Sequence, residues 1–152
     1  MTIQSGLPVA HDAVFPNGAF VVGEVTAVED FDAAKAAREA GKQVDTQSRD
    51  KSSGVRLWQV RVIDADELAR KGQVEVVVKI AAEVQPVPPE LAVGVPFRPV
   101  EFDNLIATPW VDTSRLRPRI AWSLKATGMH APGKPATLRS AGAGHDGKVA
   151  VA

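Results

Sequence analysis

The stretch LWQVRVIDADELARKGQVEVVVKI, residues 57–80, contains two runs in which apolar and polar side chains alternate. In residues 57–63 the polar phase includes Arg61, and in residues 74–80 it includes Lys79. Alternation with a period of two is typical of a β-strand that is buried on one side only. The sequence therefore predicts two neighbouring strands whose outward sides carry basic residues.

Two more segments around this pair predict strands. Residues 20–28, FVVGEVTAV, are rich in valine, and a glycine inside such a strand, here Gly23, often marks a bulge. Residues 119–127, RIAWSLKAT, alternate so that Trp122 and Leu124 share the inward phase. We expect both segments to belong to the same sheet as residues 57–80.

Residues 97–111 contain the runs FRPVEF and LIATPWV, joined by Asp103 and Asn104. Asp and Asn tolerate the left-handed backbone conformation that tight turns require, so the sequence predicts a β-hairpin here. Proline cannot donate a backbone hydrogen bond, so Pro99 and Pro109 place parts of this hairpin at a sheet edge.

One short helix is predicted over residues 32–40, with Asp32 as its N-cap and Gly41 as its stop, followed by an exposed polar loop. The connection formed by residues 64–71 is compatible with one or two helical turns. From residue 131 onward, Gly, Pro and Ala supply 12 of 22 residues. Such a segment buries too little apolar surface to offset its ordering entropy, so residues 131–152 are predicted to form a disordered tail.

Several short strands without crossover helices predict a mainly-β protein. The expected architecture is a small antiparallel barrel of the oligonucleotide-binding (OB) type over residues 1–130, with one short helix and the disordered tail. A different small barrel or a sandwich is the alternative, because strand order cannot be read from one sequence. The predicted core comprises Trp58, Val60, Val76, Val78, Trp122 and Leu124.

Composition restricts the class of protein. The chain has no cysteine, which excludes disulfides and thiolate chemistry. The N-terminus lacks the pattern of a signal peptide, and no 18 apolar residues run together, so we expect a cytoplasmic protein that does not enter membranes. Net charge is zero, but residues 110–152 hold 7 basic and 2 acidic residues, whereas residues 1–109 hold 11 and 16. This asymmetry fits either an anionic partner or chance clustering on a solvated surface.

Nothing in the sequence predicts catalysis. His11, His130 and His145 are scattered without metal-ligand spacing, and a phosphate-binding glycine loop, a GxSxG elbow and an HExxH motif are all absent from the sequence. We therefore expect a protein that is not an enzyme and uses neither a cofactor nor a metal.

Basic residues in the outward phase form the candidate binding surface. Four of them lie on predicted strands whose other phase is apolar: Arg61, Lys79, Arg119 and Lys125. In an OB barrel such positions can converge into a groove that follows a phosphate backbone. The alternative is that they are the ordinary solvated side of a half-exposed sheet.

Two further features extend this surface. Arg115, Arg117 and Arg119 alternate in SRLRPRI, so in an extended chain all three face one way. Single-strand binders also need aromatic platforms for the bases, and Trp110 is the best candidate for exposure. The predicted nucleic-acid-binding residues are therefore Arg61, Lys79, Trp110, Arg115, Arg117, Arg119 and Lys125.

Five blocks, in this order, resemble the plasmid replication, integration and excision activator family of actinobacterial integrative plasmids: HDAVFPNGAFVVGEVTAVEDFD, LWQVRVIDAD, VVVKIAAEVQPVPP, PFRPVEFDNL and RIAWSLKATGMHAPGK. The resemblance covers residues 7–135 and implies a genetic role in a mobile element without supplying a catalytic motif. A weaker resemblance, over residues 57–111, is to the single-stranded-DNA-binding proteins of filamentous phages. It rests on the order of a strand, the VVVKI strand, a proline-rich connection and a hairpin.

Three functions are compatible with these features. The first is a non-enzymatic single-stranded-DNA-binding accessory protein of a mobile element, with little sequence readout. The second is a regulator that recruits a replication or recombination protein through a strand edge or the tail. The third is a sequence-specific duplex-DNA activator, for which a helix-turn-helix pattern is missing. A homo-oligomer is compatible with all three.

Overall fold

The computed structural model describes residues 6–71, 74–91, 93–94 and 96–133. Within these residues the chain forms eight strands and two helices. In chain order they are β1 (Leu7–Pro8), α1 (His11–Val14), β2 (Ala19–Ala27), α2 (Phe31–Ala40), β3 (Leu57–Asp64), β4 (Glu75–Ala81), β5 (Arg98–Asp103), β6 (Ile106–Asp112), β7 (Arg119–Ala126) and β8 (Gly128–His130).

All eight strands belong to one curled sheet with the order β1-β6-β7-β4-β3-β2-β5-β8. Strands β4 and β7 pair in parallel, and the other neighbours pair antiparallel. The sheet curves into a half-barrel. The prediction of a mainly-β protein is thus confirmed.

The pair β3–β4 forms the centre of the sheet, with register from Leu57↔Ala81 to Ile63↔Glu75. The inward side chains Val62 and Val78 are fully buried. Burial of a side chain of this size stabilises the fold by about 1.5–3 kcal/mol. The predicted strands and their phase are therefore confirmed at the centre of the sheet.

Strand β2 contains the predicted bulge. Gly23 has φ +78°, and the register between β2 and β3 shifts between Val22 and Thr26. A side chain is strained at this φ, whereas glycine adopts it freely. The irregularity lets the first part of β2 pair with both β3 and β5, while its second part pairs with β3 alone.

The hairpin predicted over residues 97–111 is wrong. Strands β5 and β6 are not neighbours in the described sheet: β5 lies between β2 and β8, and β6 lies between β1 and β7. Asn104 does adopt the left-handed conformation, with φ +50°, and Leu105 beside it is 2% exposed. The chain therefore turns a corner at Asn104, anchored by Leu105, instead of reversing direction. A left-handed residue is compatible with either geometry, so its presence could not distinguish them.

The predicted helix is present as α2, with a different cap. Oδ1 of Asp30, not of Asp32, accepts a hydrogen bond from the backbone N–H of Ala33 at 3.1 Å. Gly41 ends the helix in the left-handed conformation, as expected. Asp32 falls in the first turn, where its charge still complements the helix dipole.

Residues 64–71, for which one or two helical turns were considered, contain no helix: β3 ends at Asp64 and residues 65–71 form a turn. Oδ1 of Asp64 accepts from the N–H of Asp66, and Oδ1 of Asp66 accepts from that of Leu68, both at 3.0 Å. These side chains offer the backbone an alternative to helical hydrogen bonds.

The disorder predicted for residues 131–152 falls outside the described residues apart from 131–133.

The predicted core is largely confirmed. Val60, Val78 and Leu124 are buried, and Trp58 and Val76 pack against the core from its rim, but Trp122 is 53% exposed. Trp122 shares the inward side of β7 with Leu124, so its phase is right. The prediction that Trp122 is buried is nevertheless wrong, because the core ends at Leu124 and no described strand covers the inward side of β7 before it.

Candidate nucleic-acid interface

Strands β6 and β7 extend beyond the rest of the sheet as a two-stranded arm. They pair with each other from Ile106↔Lys125 to Asp112↔Arg119. In contrast, β1 pairs only with residues 106–107, and β4 pairs only with residues 124–126. We call residues 108–123 the arm. Within the described sheet, both of its long edges lack a neighbouring strand.

A cleft of about 850 Å³ separates the arm from the beginning of β4. It exists because the parallel pairing of β4 with β7 begins only at Val78↔Leu124, so that the earlier residues of the two strands diverge. The turn that contains Asp66 and Leu68 also lines it. The cleft brings together three of the predicted site residues, Lys79, Trp110 and Arg119, and adds Trp122.

The register divides the residues around the cleft into two sides. Lys79 and Trp110 belong to the outward phase, since Lys79 lies opposite Lys125 and Trp110 lies opposite Ala121. Trp122 belongs to the inward phase with Leu124. We call the two sides of the arm its outer and inner sides, and the predicted basic surface lies on the outer one.

The outer side carries an exposed aromatic ring, as predicted. Trp110 is 50% exposed. An indole of this kind offers a flat surface on which a nucleic-acid base can stack. Trp122 was missed as an exposed residue, because alternation along β7 shows which side it faces but not where the core stops.

Lys79 is an unpaired cation of the surface. It is exposed on β4, flanked by Gln59 of β3 and Lys125 of β7. Its ammonium group makes no ion pair with any residue that the structure describes. Lys79 is thus available to an anion, and the expected convergence of Lys79 and Lys125 on adjacent strands is present.

Lys125, in contrast, is engaged within the protein. Its Nζ lies 2.6 Å from Oδ1 of Asp50, a residue that is 7% exposed, and the hydroxyls of Ser52 and Ser53 donate to Oδ2 of the same carboxylate at 2.7 Å. Burial opposes ionisation of Asp50, but the hydrogen bonds from Lys125, Ser52 and Ser53 outweigh it and hold its pKa well below the ordinary value. This network attaches the loop after α2 to the outer side of β7.

Two arginines of the surface are paired with carboxylates. Nε of Arg61 donates to Glu75 on the adjacent strand, and this hydrogen bond lowers the pKa of Glu75. Nε of Arg119 lies 3.3 Å from Oδ2 of Asp112. The Arg61–Glu75 pair is exposed, so a phosphate can compete with Glu75 for this guanidinium. Asp112 is only 7% exposed, so a phosphate at Arg119 would have to displace a largely buried carboxylate.

Arg115 and Arg117 occupy the tip of the arm. The chain bends over residues 114–117, so the extended geometry that would align them with Arg119 is absent and that expectation is wrong. Both are exposed, and neither pairs with a carboxylate of the described residues. They form a basic tip that lies at the end of the arm and away from Lys79.

Acidic residues limit the positive charge of the cleft. Asp64, Asp66 and Glu75 line it together with Lys79 and Arg119. The cleft is therefore mixed in charge. An anion would meet unopposed positive charge at Lys79 on the outer side and at the tip of the arm.

A second polar cluster lies where β5 meets β8. Nδ1 of His130 is 2.6 Å from Oδ1 of Asp103, and its Nε2 is 3.2 Å from Oε2 of Glu101. Nδ1 of His11 accepts from the N–H of Phe102, and burial lowers the pKa of His11. Among the described residues, no group of three or more His, Cys, Asp or Glu side chains is arranged to hold a metal ion.

Neither helix in the described part of the chain has the length and apolar character needed to cross a membrane.

Comparison of the chain with protein-family models, with curated proteins and with solved structures finds no match. The resemblances drawn from the sequence blocks therefore stay predictions.

Proposed function

We propose that this protein is a non-enzymatic single-stranded-DNA-binding accessory protein of a mobile element, acting in the cytoplasm. The observation that carries this proposal is the outer side of the cleft, where exposed Trp110 and unpaired Lys79 line one surface. A base can stack on the indole while the ammonium group meets a phosphate.

The strand order supports an OB-like barrel for residues 1–130. The series β2-β3-β4-β7-β6 contains a parallel β4–β7 pair. Residues 98–112 turn at Asn104 so that β5 pairs with β2 and β6 pairs with β7. Residues 98–112 thus pair with β2 at one end of this series and with β7 near the other end. A Greek-key barrel needs a connection of this kind between the two ends of its sheet.

The position of the surface agrees with this fold. OB barrels bind nucleic acids on the face of their second and third strands and with the loops after the first and fourth. In the proposed correspondence these strands are β3 and β4, which carry Arg61 and Lys79 on their outward side. The loop after the fourth strand is the tip of the arm.

Binding would depend mainly on phosphates and stacking, with little reading of base edges. Lys79 supplies an unpaired cation, and the guanidinium of Arg61 can exchange its exposed partner Glu75 for a phosphate oxygen. Every base has a face that stacks, so Trp110 would accept any sequence. Arg115 and Arg117, in the loop after the fourth strand, would add phosphate contacts at the end of the arm.

Titration of labelled single strands, followed by fluorescence anisotropy, tests the proposal. We expect single strands to bind more tightly than duplex, and Trp110→Ala to weaken single-strand binding by about 1–3 kcal/mol. Phe31→Ala is the matched control, because Phe31 is an exposed aromatic residue on α2, outside the cleft. Absence of single-strand binding at low salt, or equal losses in both variants, would contradict the proposal.

The free edges of the arm favour a second candidate, a regulator that recruits a replication or recombination protein. Residues 119–123 of β7 pair only with β6, and an exposed edge of this kind can accept a strand from a partner. Titration of purified proteins encoded by the same element distinguishes the two functions. Under this candidate Ile120→Lys lowers partner affinity and leaves single-strand affinity unchanged.

A further inference from the structure

The tip of the arm, residues 113–118, combines an exposed apolar side chain with positive charge. Leu116 is fully exposed and lies between Arg115 and Arg117, which are exposed as well. Neither arginine forms an ion pair with a carboxylate among the described residues, and residues 113–118 contain no Asp or Glu. Single exposed leucines are common on protein surfaces, but this one lies at the end of an extended arm, between two unpaired cations. The tip therefore suits an anionic partner that also offers an apolar surface.

One carboxylate at the base of the tip holds the loop in shape. Oδ1 of Asp112 accepts hydrogen bonds from the backbone N–H and the hydroxyl of Ser114, at 3.0 and 2.6 Å. Its Oδ2 accepts from Nε of Arg119 at 3.3 Å. Ser114 begins the bend and Arg119 follows it, so Asp112, which is buried, joins the two ends of the loop. A loop fixed at both ends presents Leu116 with little further loss of entropy on binding.

The tip stands at the open end of the cleft. The cleft is closed at the base of the arm, where β4 and β7 begin to pair at Val78↔Leu124 and the loop after α2 binds Lys125 through Asp50. Towards the tip the two strands diverge, so the cleft widens in that direction. A single strand on the outer side of the cleft therefore leaves it past the tip.

The opening admits a single strand and directs it towards the tip. The opposite wall carries Asp64 and Asp66, whose carboxylates repel phosphates, whereas the arginines of the tip attract them. The volume of about 850 Å³ is that of a pocket for a small ligand. Duplex DNA, whose major groove alone is about 12 Å wide, is too large to enter it. Where a bound single strand continues into duplex, the first base pair therefore lies outside the cleft, at the tip.

We propose that the tip recognises the junction between single-stranded and double-stranded DNA. Leu116 inserts between the first base pair and the first unpaired base, while Arg115 and Arg117 bind the flanking phosphates. Proteins that unstack DNA use apolar side chains as wedges in this way, beside basic residues. This inference rests on the proposed single-strand function and names its substrate: a single strand that continues into duplex. Trp110 and Lys79 hold the single strand, and the wedge opposes the re-formation of base pairs at the junction.

Fluorescence anisotropy with two labelled DNAs tests the proposal. One is a single strand, and the other is the same single strand attached to a hairpin duplex. We expect the wild type to bind the junction about tenfold more tightly, since burial of one leucine side chain can supply this difference. Leu116→Ser should abolish the preference and leave single-strand affinity unchanged, whereas Leu116→Met should retain it. Leu91→Ser is the matched control, because Leu91 is an exposed leucine that does not line the cleft.

A second readout follows the wedge directly. A fluorescent adenine analogue at the first unpaired position should brighten when the wild type binds, because its stacking on the duplex is lost, and should stay dim with Leu116→Ser. Brightening with both proteins would contradict the wedge.

The outcomes separate this proposal from the proposed function. Equal affinity of the wild type for the two DNAs, with single-strand binding intact, overturns the junction proposal alone. Absence of binding to either DNA overturns it together with the proposed function. Equal weakening of both DNAs by Leu116→Ser also overturns it, because Leu116 would then belong to the single-strand surface. So does a tip that gives no junction preference but attaches the protein to vesicles of anionic lipid.

Discussion

Nζ of Lys125 lies 2.6 Å from Oδ1 of Asp50, although 75 positions separate the two residues in the chain. The pair attaches the loop after α2 to β7, and Asp50 has almost no contact with solvent. Lys125 is one of the residues expected from the sequence to bind phosphate. In the structure its ammonium group binds Asp50, so Lys125 stabilises the fold before it can contribute to phosphate binding.

Lys125→Met should lower the free energy of unfolding by about 1–3 kcal/mol, because it leaves a buried carboxylate without its cation. The loss stays below that of a fully unpaired charge, since Ser52 and Ser53 still donate to Asp50. Urea unfolding measures the change. Lys79→Met is the control: Lys79 has no ion-pair partner among the described residues, and we expect a change within about 0.5 kcal/mol. Equal effects of the two substitutions would contradict the structural role of Lys125.

The stability contributed by Asp50 should depend on pH. Its pKa is lower in the folded protein than the ordinary value of 3.8, so its contribution is fully present above that value and is lost as the pH falls towards the folded pKa. The difference in unfolding free energy between the wild type and Asp50→Asn should therefore be constant near neutral pH and shrink below about pH 4. Urea unfolding across this range measures it. A difference that grows on acidification would show that the pKa is raised.

Trp122→Ala should destabilise a single chain by only about 1 kcal/mol, because half of the side chain is already in contact with water. Leu124→Ala, two residues along the same side of β7, empties a buried site and should cost about 2–5 kcal/mol. Thermal unfolding of the two variants and the wild type gives the comparison. The reverse ranking would place Trp122 in the core.

Salt should reduce single-strand affinity with a log–log slope of about −0.7 for each phosphate neutralised. Lys79→Ala removes one unpaired cation and should make that slope shallower by about 0.7. Lys125→Ala should change the slope less, because Asp50 already occupies that ammonium group. Lys35→Ala, at an exposed position on α2, is the control for charge alone. If Lys125→Ala has the larger effect, the binding surface lies closer to the loop after α2.

Local pattern predicts the parts of this fold that depend on neighbouring residues. Alternation in residues 57–63 and 74–80 places Val60 and Val78 in the core, and Gly23 and Gly41 occupy the positive-φ positions that their surroundings suggest. These features follow from side-chain phase and backbone sterics, which act over a few residues.

Relations between distant segments were not predictable in the same way. Asn104 is compatible with a hairpin and with a corner, and the choice depends on the free edges of β2 and β7. Trp122 has the phase of a core residue, but only the diverging pairing of β4 and β7 shows that the core stops before it. Strand phase alone predicts that Lys125 is an outward cation without a partner, and only the structure shows that Asp50 lies beside it.

The corner at Asn104 has a consequence for folding kinetics. Strand β5 pairs with β2, about 80 positions earlier in the chain, while β6 pairs locally with β7. Closing so long a loop carries a large entropy cost before any contact offsets it, and such non-local pairing is slow. We therefore expect the β6–β7 ribbon and the β3–β4 pair to form early, and the pairing between β2 and β5 to form last. A residue that adopts φ +50° with strain, such as valine at position 104, would delay that final step while leaving the early ribbons intact.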